Sequence, residues 1–111
     1  MFQKDALKGK RVLVTGGGTG LGKAMVRRYA ELGADVVICW RRIEPLEETC
    51  KEIQKDFPGR KAQAISCDVR DPESVEKMLD AAWSQGPLTG LVNNAAGNFV
   101  ARTEDLSPRA I

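Results

Sequence analysis

With 111 residues, 42% of them apolar, the chain is long enough for one compact domain with a real core and too short for two. Its formal charge is only +2, with acids and bases interspersed, so it lacks the basic block or stripe of a nucleic-acid-binding surface, and no nucleic-acid partner is expected. It has no histidine, which removes histidine bases, Ser/His/Asp and Cys/His triads and most zinc sites; no metal site is expected.

The N-terminus, Met1 to Asp5, has no signal-like apolar segment, and no apolar run reaches the length of a membrane span. A cytoplasmic protein with no membrane partner is the expectation. Arg11-Val12-Leu13-Val14-Thr15, bounded by Gly9 and Gly16, predicts a first strand. From Leu21 the apolar positions Leu21, Met25, Tyr29 and Leu32 predict a helical stripe that Gly33 stops. Asp35 to Trp40 predicts a second, buried strand, and Pro45 opens a helix with Leu46, Cys50, Ile53 and Phe57 on one face, ended by Pro58-Gly59.

Lys61 to Cys67 alternates weakly as a third strand. Asp71-Pro72-Glu73 combines an N-cap, a proline at the first helical position and an acid in the first turn, ahead of Val75, Met78, Leu79 and Ala82. Leu91-Val92-Asn93 predicts a fourth strand, and Ser107-Pro108 another helix start. The three cysteines, Cys39, Cys50 and Cys67, form no CxxC pair and read as buried or half-buried free thiols of a reducing compartment.

The pattern is βαβαβαβ, an α/β class with a doubly wound parallel sheet (a Rossmann fold) covered on both faces. Right-handed crossovers predict the strand order 3-2-1-4 and a switch point between strands 1 and 4. Two glycine-rich turns, after Thr15 and after Asn94, fall at that carboxyl edge, where ligands bind.

Three glycine motifs compete for Val14 to Met25. The triphosphate loop GxxxxGK[ST] fits Gly17 and Gly22-Lys23 but fails at Ala24, which has no hydroxyl for magnesium. GxGxxG fails because Gly16 and Gly18 would require glycine where Leu21 stands. GxxxGxG, as Gly16, Gly20 and Gly22 after Thr15, remains. The first glycine permits a tight exit from the strand, the second a close backbone approach to a pyrophosphate, and the third close packing of helix on strand.

At the end of the second strand an Asp or Glu would hold the ribose hydroxyls of NAD. Trp40 stands there, followed by Arg41-Arg42, two guanidiniums suited to the 2′-phosphate of NADP(H). Asp68-Val69 after the third strand either caps a turn or accepts from the adenine amino group, with Val69 walling the ring.

Thr15-Gly16-x-x-x-Gly20-x-Gly22, Asp68-Val69 and Asn93-Asn94-Ala95-Ala96-Gly97 together resemble the classical short-chain dehydrogenases/reductases, in order and in spacing over the whole chain. GGGTGLGK, CDVRDPES and NNAAGNFVARTEDLS are similar to the NADPH-dependent 2,4-dienoyl-CoA reductases, with Ala96, Asn98 and Phe99 carrying the narrower likeness. The resemblance implies NADP(H)-dependent reduction of a small-molecule acyl-CoA thioester in fatty acid metabolism. The alternative within the family is a carbonyl or 3-oxoacyl reductase.

Carried over by position, the resemblance places Gly16 to Gly22 (with Gly18, Thr19, Gly20 and Leu21) on the pyrophosphate and Arg41 on the 2′-phosphate. Asp68 and Val69 would hold adenine, and Asn93, Ala95 and Gly97 would line the ribose and nicotinamide side. Arg70 would lie near the acyl-CoA phosphates, and Phe99 and Ser107 would border the acyl pocket. The resemblance also implies a homo-oligomer, a tetramer.

The family's tyrosine and lysine have no counterpart in the chain. Its single tyrosine, Tyr29, lies in the first helix with Gly33 four residues later and reads as a packing residue. No catalytic residue is therefore assigned, and the expectation is the N-terminal part of a larger single-domain reductase. For the chain alone, a non-catalytic NADP-binding module is the other reading.

Overall fold

A computed structural model describes residues 5–16 and 20–94. The elements β1 (Arg11–Thr15), α1 (Gly20–Glu31), β2 (Asp35–Trp40), α2 (Ile43–Asp56), β3 (Ala62–Ser66), α3 (Pro72–Trp83) and β4 (Gly90–Val92) alternate along the chain. All four strands are parallel, in the order β3-β2-β1-β4 that right-handed crossovers predict. The register pairs Val14 with Ile38 and with Val92, and Trp40 with Ser66.

Strand side chains alternate between faces, so each strand feeds two cores. On one face Leu13, Val37, Cys39 and Cys67 pack beneath Val75, Met78, Leu79 and Ala82 of α3. On the other, Val14, Val36 and Ile38 meet Val26 and Ala30 of α1 and Leu46, Cys50 and Ile53 of α2. With helices on both faces, the strands are apolar at successive positions rather than alternating with polar ones.

α3 forms as its sequence predicts. Asp71 is extended and its Oδ1 accepts from the Glu73 backbone N–H at 3.1 Å, while Pro72 occupies the first turn, where it forfeits no helical bond.

α1 corrects the predicted stripe. Its buried line is Gly22, Val26 and Ala30, and Leu21 is 70% exposed. Apolar periodicity picks out large residues, whereas the line nearest β1 takes small ones because the helix approaches the strand closely. Tyr29 packs at the edge of the α1–α2 core, as a packing residue should.

Other boundaries shift slightly. α2 starts at Ile43, two residues before the expected opening at Pro45, which a first turn tolerates. It also buries Thr49, whose Oγ1 donates to the Pro45 carbonyl at 3.1 Å. β3 is shorter than expected by one residue at each end, and β4 runs from Gly90 to Val92 rather than from Leu91 to Asn93.

All three cysteines are free and buried. Cys39 and Cys67 share a hydrogen bond that raises the Cys39 pKa and lowers that of Cys67, and burial pushes Cys50 up to about 11. Among the described residues, no helix is long and apolar enough to cross a membrane.

Candidate dinucleotide-binding site

The switch point lies where β1 and β4 end side by side, because α1 leaves toward one face and α3 covers the other. Thr15, the last residue of β1, is fully buried there. Its Oγ1 donates to Asn93 Oδ1 at 3.1 Å and accepts from the Asn94 backbone N–H at 2.8 Å. Asn93 thus ties the two strand ends together.

Gly16 follows with φ 75°, a left-handed turn that glycine adopts freely, and its N–H donates to the Cys39 carbonyl at 2.7 Å. Gly20 opens α1 at φ 58°. Gly22 in the first turn has no room for a side chain. A Cβ there would overlap the carbonyl oxygen of Gly16 and lie 2.5 Å from Asn94 Nδ2. The chain thus brings the N-terminus of α1 down onto the exit of β1.

That helix end carries no acidic residue in its first turn, so its own sequence does not offset its partial positive charge. The exposed Leu21 stands beside it. A phosphate anion fits this arrangement, since the helix terminus offers N–H donors and a partial positive charge.

The ends of β2 and β3 form the adjacent part of the site. Arg41 and Arg42 are exposed between β2 and α2. Asp68 Oδ1 accepts from the Arg70 N–H at 3.0 Å and from Arg70 Nε at 3.4 Å. The turn-capping role weighed for Asp68 is thus present. The Arg70 N–H is the main reason that the Asp68 carboxyl is held below the usual carboxylate range. The Arg70 and Arg41 guanidiniums add to this against the opposing effect of desolvation.

Val69 is 5% exposed and packs in the α3-side core rather than on the surface. Arg70 is exposed and committed to Asp68. Gly18, Thr19, Ala95, Gly97, Phe99 and Ser107 lie outside the described residues.

Three supporting residues were missed in the sequence. Ser66 Oγ donates to the Arg41 carbonyl at 3.0 Å, and Ser74 Oγ accepts from the Asp68 N–H at 3.0 Å. Asn94, seen only as part of a motif, holds the Thr15 hydroxyl and lies 3.5 Å from the Gly16 carbonyl through Nδ2. Only the fold brings Ser66 to Arg41 and Asn94 to Gly16, whereas Ser74 reaches Asp68 within the turn that enters α3.

An open groove of about 680 Å³ between α1 and α2 is a poorer candidate. Its cations are neutralised within the chain: Lys23 meets Glu52 at 2.6 Å, Arg27 meets Asp56 at 2.8 Å, and Arg28 meets Glu31 at 2.5 Å.

The family model for short chain dehydrogenase matches residues 10–111, nearly the entire chain. The chain belongs to the short-chain dehydrogenase family. It is 49% identical to a probable 2,4-dienoyl-CoA reductase of Caenorhabditis elegans, named as producing a (3E)-enoyl-CoA, over 99% of this chain and 36% of that protein. It is 46% identical to a probable 2,4-dienoyl-CoA reductase of Bacillus subtilis, named as producing a (2E)-enoyl-CoA, over 89% of this chain and 39% of that one.

Among solved structures, the L-sorbose reductase of Gluconobacter frateurii, in complex with NADPH and L-sorbose, superposes with a TM-score of 0.79 at 29% identity. That likeness covers 86% of this chain and 36% of the reductase. This member of the family therefore spans little more than a third of the length of the relatives it matches.

Proposed function

We propose that residues 1–111 are the NADP(H)-binding part of a longer single-domain reductase, which reduces a conjugated dienoyl-CoA thioester in the cytoplasm as a homo-oligomer. The relatives' names support the substrate class.

The observation that carries the cofactor preference is the end of β2. Two arginines, Arg41 and Arg42, precede α2, with Arg42 at its N-cap, and no carboxylate occupies the position where an NAD ribose would be held. Cations at a helix N-terminus oppose the helix dipole, an effect that Glu44 in the first turn of α2 offsets in part. A bound phosphate relieves that repulsion, so the placement favours a ligand with an anion at this point.

In this reading Gly16, Gly20, Leu21 and Gly22 hold the pyrophosphate side, Arg41 and Arg42 the 2′-phosphate, and Asp68 the adenine. NADPH supplies the hydride when bound. The chain's own contribution is to fix the dinucleotide at the switch point. Substrate contacts by Arg70, Phe99 and Ser107, and cofactor contacts by Val69, Asn93, Ala95, Gly97, Gly18 and Thr19, belong to the same proposal.

Two measurements test it. Arg41→Ala should weaken NADPH binding by about 10- to 100-fold, the loss of a charge-assisted phosphate contact, and leave NADH binding nearly unchanged. NADPH oxidation by the full-length protein should proceed with a 2,4-dienoyl-CoA. Turnover with a 3-oxoacyl-CoA alone would favour the second reading, a carbonyl reductase, which the likeness to the sorbose reductase supports. On residues 1–111 alone neither substrate should turn over, consistent with a non-catalytic binding module.

A further inference from the structure

The described arginines divide into two groups. Arg27, Arg28 and Arg70 face carboxylates, while Arg11 and Arg60 donate to backbone carbonyls. The guanidiniums of Arg41 and Arg42 have no ion pair or hydrogen bond among the described residues. Arg41 instead has an aromatic neighbour: its guanidinium carbon lies 5.8 Å from the centre of the Trp40 ring, within cation–π range.

Resting on the reading that Arg41 takes a ribose phosphate, we propose that Trp40 is a specificity-determining residue. Its indole holds the Arg41 guanidinium at the phosphate position and thereby sets the preference for a phosphorylated dinucleotide.

The platform is rigid. Trp40 ends β2, packs against both cores and accepts the Cys67 N–H on its carbonyl at 2.8 Å. The next carbonyl, that of Arg41, accepts from Ser66 Oγ at 3.0 Å. The backbone on both sides of Arg41 is thus tied to the end of β3, and only the long arginine arm remains to be ordered. An exposed arginine loses considerable rotamer freedom on binding an anion, and a residue that restricts the arm beforehand reduces that loss.

The chemistry of the holder matters. A carboxylate would neutralise the guanidinium and occupy the N–H donors that a phosphate needs, whereas attraction to a ring leaves both charge and donors in place. The nearby acid, Asp68, attracts Arg41 at a distance but gives its hydrogen bonds to Arg70, through the Arg70 N–H and Nε. The site therefore presents an arginine whose N–H donors no carboxylate occupies among the described residues, beside a ring that orients it.

The test is calorimetric binding of NADPH and of NADH to the full-length protein and to Trp40→Met, Trp40→Phe and Arg41→Ala. Trp40→Met should reduce the NADPH-over-NADH preference about threefold, and Trp40→Phe, which keeps a ring, by less. A Trp40→Met protein with an unchanged preference, whether or not both affinities fall together, would overturn the inference. If Arg41→Ala itself leaves the preference unchanged, the underlying reading of Arg41 is wrong. Should Trp40→Met fail to fold, the Arg41 Nε–H resonance of the unsubstituted protein decides. A ring-current shift to high field supports the contact, and a random-coil position refutes it.

Discussion

Gly22→Ala is expected to destabilise the fold by about 1–3 kcal/mol and to weaken dinucleotide binding at least about tenfold. The methyl group would overlap the Gly16 carbonyl oxygen, lie 3.0 Å from the Gly16 carbonyl carbon and 2.5 Å from Asn94 Nδ2. None of these neighbours can move cheaply. Gly16 is anchored by its N–H on the Cys39 carbonyl at 2.7 Å, and Asn94 by its own N–H on Thr15 Oγ1 at 2.8 Å. The helix must therefore shift, carrying its N-terminus away from the exit of β1.

Gly20 is the control. A Cβ there meets nothing within 4 Å, so in the unliganded fold Gly20→Ala adds only the strain of φ 58°. Thermal unfolding and calorimetric titration with NADPH measure both variants. A Gly22→Ala protein as stable as Gly20→Ala, or one that binds NADPH as well as the unsubstituted protein, would contradict the packing account of the turn.

Arg11→Met should cost about 2–4 kcal/mol of stability and leave cofactor affinity unchanged. Arg11 begins β1, at the opposite edge of the sheet from the candidate site. Its guanidinium donates to the Ala82 carbonyl at 2.6 Å, the Gly86 carbonyl at 2.8 Å and Gln63 Oε1 at 2.6 Å, joining β1, β3 and the end of α3. α3 has no basic residue in its own last turn, so Arg11 supplies from a distant strand the cation that its C-terminal dipole favours. Burial pulls the Arg11 pKa below its ordinary value while the Asp35 carboxylate pulls it back up.

Methionine keeps the apolar stem but removes the donor of the Gly86 carbonyl and of Gln63 Oε1, while the Ala82 carbonyl keeps the Gln85 N–H at 3.2 Å. Arg11→Lys should recover only part of the loss, because one ammonium cannot reproduce the planar fork that reaches all three. Urea denaturation measures both variants. A change under about 0.5 kcal/mol in Arg11→Met would show that water replaces the lost bonds at little cost.

These two residues mark what the sequence makes legible. The glycine spacing around Gly22 is local and stands in the sequence, and so does the capped start of α3 at Asp71-Pro72-Glu73, with its buried Val75, Met78, Leu79 and Ala82. Strand order follows from the alternation of elements and the handedness of crossovers. The role of Arg11 is not legible, because its carbonyl partners lie 71 and 75 residues away along the chain.

The buried line of α1 is illegible for a different reason. Leu21 continues an apolar period and yet is exposed, because the line facing β1 is chosen by the distance between helix and strand rather than by hydrophobicity. At the candidate site, the glycines and the Arg41-Arg42 pair can be read directly. Of their supports, Ser66 and Asn94 act on residues that only the parallel sheet brings close, while Ser74 acts on Asp68 across the turn into α3.

The central claim is that the end of β2 selects a phosphorylated dinucleotide, and its most direct test is calorimetric titration of the unsubstituted full-length protein with NADPH and with NADH. The account predicts that NADPH binds at least about tenfold more tightly, the increment of one charge-assisted phosphate contact. Equal affinities, or a preference for NADH, would contradict it.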